Sequence, residues 1–408
     1  MADESEHSMY YASPFNFDPT VQETFQLPDT VEILDLTLDE NGEGMVGAYL
    51  TGDQKIAIAK MLDEMGIHRI GTLGFPAPVS REEVEIAKEI STLGLHAKLE
   101  SLASTREDIE RALECNVWGV IIRKPVSALY MVPADQPVKQ KIDDFVALAS
   151  YAKEKGLHVA HMAQDVTRAN STMAQDIILG IHERVGLDEL CLTDSQGVAT
   201  PFGMKHLVEW VRQWLDIPIQ VHCHNHIGLG VANACAAVSA GAAVVHTTVC
   251  GQGHYAGMAA LEEVAVALKI GFGVDIGIHY DRLYELAQRV ESFTGISMQP
   301  HKAVVGDQAF VKSEEIKDIN ALIDVTREGL EKKWFPFLPE FVGNKSRVRM
   351  AQKVTREAVE YNLAERGIET SSQNIEEIVK RVREITRRER RVLSDNEFRS
   401  IIDDVVKR

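Results

Sequence analysis

The sequence predicts an α/β protein, a (β/α)8 TIM barrel followed by a mostly helical C-terminal subdomain. Three observations support this fold class. Short β-rich segments alternate with longer helical segments between residues 31 and 275. The alternation repeats eight times over roughly 240 residues, which matches the size of such a barrel. No G-x-G-x-x-G fingerprint of a dinucleotide-binding sheet is present, so the main alternative, a doubly wound open sheet, is less favoured.

The eight strand candidates follow one another at intervals that leave room for a helix after each. In order along the chain they are 31–38, 68–74, 95–103, 117–123, 158–164, 188–194, 217–224 and 242–250.

Two of the intervening segments carry clear helix signals. Between residues 51 and 66, Ile58 and Leu62 fall on one face, and Gly66 is a natural stop. In the next segment, Ser80 with Glu83 three residues later forms a capping-box pattern. Both segments therefore predict amphipathic helices that cover the sheet.

The alternation of predicted strands and helices, present in one part of the chain and absent from the others, divides the chain into three parts. Residues 1–30 show no clear period and read as an N-terminal arm. The barrel domain covers 31–275. From 276 to 408 a loop-rich stretch and charged helices follow, which we interpret as the C-terminal subdomain.

Composition excludes several classes of function. The net charge of −18 argues against broad binding to nucleic acid or to an anionic membrane. No apolar run approaches the ~20 residues of a membrane span, and the acidic start lacks the apolar core of a signal peptide. The five cysteines are scattered without a C-x-x-C pair. We therefore expect reduced thiols and a cytoplasmic location.

The strongest chemical signal is an H-x-H pair. His222 and His224 are two residues apart on a predicted strand, so both imidazoles point to one face. In a barrel, chemistry is carried at the C-terminal ends of strands, and other polar residues fall at such ends: Asp39, Glu40, Arg123, Lys124, Gln164, Asp165, Asp194 and Cys250. Two histidines and a carboxylate suit a divalent metal ion. The alternative is that each histidine serves a separate hydrogen bond.

Longer motifs carry a family resemblance. The stretch 221–264, from "VHCHNHIGLG" to "LEEV", resembles the strand-7 to helix-8 region of the DRE-TIM metallolyases. These include 2-isopropylmalate, homocitrate and citramalate synthases and HMG-CoA lyase. Further matches are "ILDLTL" at 33–38, "GFP" at 74–76, "AQDVTRAN" at 163–170 and "LTDSQGVATP" at 192–201. The C-terminal region resembles the subdomain of the synthases, which the lyases lack.

The resemblance implies a fold, a cofactor and a reaction. A divalent metal ion (Zn, Mn, Mg or Co) would be held by Glu40, His222 and His224, to which Cys250 or His254 could add a ligand. The reaction would join an acyl-CoA to a 2-oxo acid, a small carboxylate substrate, and release CoA. The resemblance also implies a homodimer. Residues matching the ends of strands 5 and 6 would bind substrate: Gln164, Asp165, Thr167, Asp194 and Ser195, with Arg168 as a catalytic cation.

The sequence departs from the family pattern at several chemical positions. Asp39 stands where the family has an arginine that faces the developing oxyanion, and Gln164 replaces a glutamate. Met258 replaces an asparagine close to the metal. Two histidines of the synthase subdomain are Lys312 and Lys317.

A lost cation must be replaced if negative charge develops in the reaction. We expect Arg123 or Lys124 to point into the barrel mouth and face Asp39, with His254 as a further acid–base group. Two alternatives remain open at this point. One is a metal-dependent hydrolase or retro-aldol lyase, and the other is a non-catalytic paralogue.

Overall fold

The structure is a computed structural model that describes residues 9–40, 47–73, 80–131, 137–312 and 335–406. The chain forms two compact units. One spans Ala12–Met298, and the other combines the residues up to Tyr11 with Gln299–Arg408.

The larger unit contains a closed barrel of eight parallel strands, each paired with the next and the last with the first. The strands are β1 Glu32–Asp35, β2 Arg69–Leu73, β3 Lys98–Ala103, β4 Gly119–Pro125, β5 His158–Gln164, β6 Glu189–Asp194, β7 Ile219–Cys223 and β8 Val244–Thr247. The predicted TIM barrel is confirmed, and each strand lies within or close to a predicted segment.

The α-helices of this unit are α1 Pro19–Gln22, α2 Thr37–Glu40, α3 Gly52–Met65, α4 Arg81–Ser91, α5 Arg106–Glu114, α6 Val138–Glu154, α7 Ser171–Val185, α8 Pro201–Arg212, α9 Gly230–Ser239, α10 Leu261–Val266 and α11 Leu283–Thr294. They begin with α1 before β1 and the turn α2 directly after it, and from α3 onward they lie around the barrel. At α3 the predicted stop is observed, and at α4 the Ser80 half of the predicted capping box is observed, while the Glu83 carboxylate pairs with Lys55. Gly66 ends α3 in the left-handed conformation (φ 90°), and the Ser80 side chain accepts a hydrogen bond from the Glu83 amide.

The first strand is shorter than predicted because a helical turn begins directly after it. The buried Asp35 carboxylate accepts the Thr37 amide at 2.9 Å, which fixes the chain as it leaves β1. The turn α2 then carries Asp39 and Glu40, both buried, at the C-terminal end of the barrel.

The smaller unit is mostly helical, as expected for the C-terminal part of the chain. It contains the two-stranded parallel pair β9 Val311–Lys312 and β10 Arg347–Val348, followed by α12 Arg356–Ala364, α13 Ser372–Glu389 and α14 Asp395–Val406. Apolar residues of these three helices form its core.

Some positions named from the sequence cannot be placed. The "GFP" motif at 74–76, the residue Lys317 and the side chain of Lys312 lie outside the described residues. Within the described ranges, no helix has both the length and the apolar content that crossing a bilayer requires.

Candidate active site

A cavity opens at the C-terminal end of the barrel. Residues from seven of the eight strands or the turns that follow them, β1 to β7, and from the loop after β8, line it. The sequence-predicted residues among them are Asp39, Glu40, Arg123, Gln164, Ser195, His222, His224 and His254.

The two histidines of the H-x-H motif meet inside this cavity. Their Nε2 atoms lie 3.2 Å apart, and the residues are only 6% and 7% exposed. Burial lowers the pKa of His222 well below its usual value, and burial also lowers the pKa of His224. His222 and His224 are therefore neutral imidazoles, the form that binds metal ions.

Glu40 links the start of the barrel to the loop after its last strand. Its Oε2 accepts the His254 backbone amide at 2.8 Å and lies 2.6 Å from His254 Nδ1. Burial alone would lower the pKa of His254, but the hydrogen bond and charge of Glu40 raise it. The carboxylate thus orients His254 and stabilises its protonated form.

The donor set fits a divalent ion in its chemistry. Among the described residues, however, three His, Cys, Asp or Glu side chains do not lie close enough together to hold one. Imidazole nitrogens bound at about 2.1 Å to one ion lie about 3 Å apart in tetrahedral or octahedral geometry. The 3.2 Å between His222 Nε2 and His224 Nε2 matches that separation. Glu40 supplies a carboxylate in the same cavity.

Arg123 and Asp39 face the same space. Arg123 is the only lysine or arginine that lines the cavity among the described residues. Burial lowers the pKa of its guanidinium, and the negative charge of Asp39 is among the charges that oppose this effect. An arginine remains protonated under such a shift, so a positive charge and the Asp39 side chain share the cavity.

Lys124 does not line the cavity. Successive side chains of a strand point to opposite faces, and Lys124 accordingly lies on the outer side of β4. Burial lowers the pKa of its amine, while Asp144 of α6 opposes the shift. Of the two predicted cations, only Arg123 lines the cavity.

The residues at the end of β5 form a hydrogen-bonded turn. Asp165 is fully buried and left-handed (φ 63°), and its carboxylate accepts two hydrogen bonds from Arg168, at 2.8 and 3.0 Å. Its amide donates to Ser195 Oγ at 2.9 Å. Arg168 is thus held at the rim by Asp165 rather than aimed into the cavity.

The end of β6 is fixed in a similar way. Asp194 is fully buried and accepts hydrogen bonds from Thr167 Oγ1 at 2.7 Å and from the amides of Val198 and Ala199. Asp194 and Thr167 therefore shape the loop beside the cavity, whereas Gln164 and Ser195 line it.

Cys250, expected as a possible metal ligand, is directed elsewhere. It lies in a left-handed conformation (φ 60°) within the turn after β8, and its Sγ is 3.3 Å from Met298 Sδ. Cys250 is not among the residues that line the cavity, so its thiol is not placed to add a ligand there.

Sequence reasoning missed a polar network beneath the cavity. His246 Nδ1 lies 3.2 Å from His222 Nδ1, and its Nε2 lies 2.8 Å from the Gln220 side-chain oxygen. Gln220 in turn donates to Glu189, which pairs with Arg69. Burial lowers the pKa of His246 to about 3. This network could have been predicted from the charged and amide residues inside the predicted buried strands, because such groups must find hydrogen-bond partners in the barrel interior.

Comparison with known proteins decides the family. The HMGL-like family model matches residues 30–290. The chain belongs to the HMGL-like family. A homocitrate synthase of Methanopyrus kandleri is 37% identical over 93% of this chain and 94% of its own length. A 2-isopropylmalate synthase of Methanocaldococcus jannaschii is 35% identical over 94% of this chain and 73% of its own.

Further relatives agree with this membership. An (R)-citramalate synthase of Methanocaldococcus jannaschii is 36% identical over 87% of this chain and 70% of its own length. A solved hydroxymethylglutaryl-CoA lyase of Pseudomonas aeruginosa shares the fold, with a TM-score of 0.58 and 22% identity over 66% of this chain and 95% of that one. The DRE-TIM resemblance expected from the sequence is confirmed.

Proposed function

We propose that this HMGL-like protein is a divalent-metal-dependent acyltransferase that condenses an acyl-CoA with a 2-oxo acid. The observation that carries the proposal is the meeting of His222 Nε2 and His224 Nε2, 3.2 Å apart, in a cavity that also contains Glu40 and Arg123. Similarity to three synthases that share over two thirds of their length with this chain supports the reaction class.

His222, His224 and Glu40 would hold the metal ion. When bound, the ion would supply a Lewis acid for the keto group of the 2-oxo acid. Arg123 would bind the negative charge that develops on oxygen as the new carbon–carbon bond forms. Because it is preorganised by burial in the cavity wall, it needs little rearrangement to do so.

His254 would move the proton. Condensation requires removal of a proton from the α-carbon of the acyl group. The Glu40 carboxylate engages Nδ1 of His254 and leaves Nε2 as the nitrogen available for that transfer. A carboxylate that orients an imidazole also stabilises its protonated form. Glu40 would thus serve both the ion and the base.

We further propose that the protein forms a homodimer and is located in the cytoplasm. Exposed apolar side chains stand on segments that follow barrel strands at the cavity end, among them Leu129 (67% exposed), Phe202 (87%) and Ile227 (56%). Such a rim is suited to contact with a second copy of the chain, which supports the homodimer. All five cysteines are free thiols, which supports a reducing cytoplasm.

Thiol release tests the reaction. Purified protein loaded with Zn²⁺, Mn²⁺, Mg²⁺ or Co²⁺ is incubated with acetyl-CoA and a panel of 2-oxo acids, and free CoA is measured together with the condensed product. Release that depends on both the 2-oxo acid and the metal supports the proposal. Metal binding without CoA release would instead favour a hydrolase or lyase.

A further inference from the structure

A chain of hydrogen bonds runs through the barrel interior and ends at His222. Its members are almost completely removed from solvent: Glu189 is 4% exposed, and Gln220 and His246 are 0% exposed. Arg69 anchors the far end with two hydrogen bonds to the Glu189 carboxylate, each 2.8 Å long. From this end towards His222, the chemistry of these groups determines which atom donates and which accepts in each hydrogen bond.

Glu189 fixes the direction of the first of these hydrogen bonds. A carboxylate paired with a guanidinium is ionised and can only accept hydrogen bonds. The group of Gln220 that faces it must therefore be the amide NH2. The amide oxygen of Gln220 then faces His246 Nε2 at 2.8 Å, so that nitrogen carries a proton and donates it.

The protonation of His246 fixes which nitrogen donates in its hydrogen bond with His222. It is fully buried and has no carboxylate within hydrogen-bonding distance among the described residues, so it carries a single proton. Its Nδ1 is consequently an acceptor, and His222 Nδ1, 3.2 Å away, must donate to it. A neutral His222 protonated on Nδ1 has its lone pair on Nε2, the atom that faces His224.

We infer that Gln220 and His246, anchored by the Arg69–Glu189 ion pair, are positioning residues that fix His222 in the Nδ1–H tautomer. The Nε2 lone pair is thereby kept ready for a metal ion without tautomer exchange. The consequence for metal binding rests on the proposed function, but the tautomer is a property of the metal-free chain. Groups that orient metal-binding histidines in this way typically contribute 10–100-fold to metal affinity.

Two measurements on the full-length protein test the inference. Nitrogen-15 NMR of histidine-labelled, metal-free protein reports which nitrogen of His222 is protonated, with signals assigned from His222→Gln and His246→Gln variants. Calorimetric titration with Co²⁺ alone reports affinity. Gln220→Leu removes the acceptor that orients His246, so we expect mixed tautomers at His222 and a roughly 10–100-fold higher Kd for Co²⁺.

Two further variants separate hydrogen-bond direction from packing. His246→Gln retains an oxygen that can accept from His222, and we expect it to bind Co²⁺ more tightly than His246→Leu. Cys191→Ala is the matched control, because Cys191 is fully buried 3.9 Å from His246 Nε2 but is not a link in the chain. It should leave the tautomer and the affinity unchanged.

The outcomes are distinguishable. A wild-type His222 protonated on Nε2, or a Gln220→Leu variant with unaltered tautomer and affinity, overturns the inference. A wild-type protein that fails to bind Co²⁺ while His222 is protonated on Nδ1 supports the tautomer assignment and overturns the proposed metal site. If Gln220→Leu does not fold, the wild-type spectrum and the two His246 variants decide.

Discussion

Arg123 and Lys124 are adjacent on β4, yet only Arg123 lines the cavity at the end of the barrel. The Lys124 amine lies on the other face of the strand, in the electrostatic field of Asp144 on α6. The two residues are equivalent candidates in the sequence, but the alternation of side chains along the strand places only one of them in the cavity.

We therefore expect Arg123→Ala to lower kcat/KM for CoA release by about 100-fold or more, the effect of losing one preorganised donor to a developing oxyanion. Lys124→Ala is the matched control and should turn over within about threefold of wild type, because it removes no charge from the cavity. Steady-state kinetics on both variants checks this. Equal activity in the two would show that Arg123 does not face the reacting oxygen.

Metal binding gives a second prediction. Replacing His222 and His224 together with alanine should abolish binding of about one divalent ion per chain, because both nitrogens that face each other at 3.2 Å are lost. Cys250→Ala should retain the ion, since its sulfur lies against Met298 instead. Elemental analysis after dialysis measures both. Stoichiometric metal in the double variant would place the site elsewhere.

Much of the fold could be predicted from the sequence because its signals are local. The alternation of strands and helices, the stop at Gly66 and the cap at Ser80 each depend on a few neighbouring residues. The prediction was less accurate at the end of β1, where Asp35 accepts the Thr37 amide and starts a helical turn. That contact competes with strand continuation, which a period-2 pattern does not reveal.

The site was predictable only in part. His222 and His224 were found because their spacing alone places them on one face. His246 was missed because its role depends on the register between β7 and β8. That register brings it into contact with His222, which lies 24 residues earlier in the chain. Likewise, nothing in the sequence distinguishes the inward Arg123 from the outward Lys124 without knowledge of which face of β4 is inside.

The ion pair in the barrel interior predicts a pH dependence of stability. Burial alone would raise the pKa of Glu189, but contacts from His158 and Arg69 lower it from 4.5 to about 2. The folded state therefore gains stability above pH 4.5 and loses it as the pH falls towards 2. Glu189→Gln should cost on the order of 3 kcal/mol at neutral pH, and its difference from wild type should narrow below pH 4.5.

Urea unfolding at a series of pH values measures this difference, with Glu154→Gln, an exposed carboxylate on α6, as the control. We expect the control to follow wild type at every pH. A Glu189→Gln curve that runs parallel to wild type from pH 7 to pH 3 would mean that Glu189 does not titrate with the shifted pKa.

The oligomeric state supplies a fourth prediction. Light scattering at micromolar concentration should give twice the chain mass of 45.3 kDa. Phe202→Asp places a charge on the most exposed apolar side chain of the rim, which is 87% exposed. It should weaken the dimer without changing the melting temperature of the barrel, because burying an unpaired charge is costly only in the assembled state. A monomeric wild-type protein would rule out this arrangement.

The last prediction exploits the relationship between Asp39 and Arg123. Both line the cavity, and the negative charge of Asp39 supports the charged form of Arg123. Asp39→Arg alone should not increase turnover, because two guanidinium groups would then repel each other in one small space. In the Arg123→Ala background the same change supplies a cation where none remains, so Asp39→Arg should recover about tenfold in kcat/KM over Arg123→Ala. Kinetics on the wild type, both single variants and the double variant completes the cycle. If the two changes are simply additive, Asp39 and Arg123 act independently, and the cation of this site was not moved from one strand to the other.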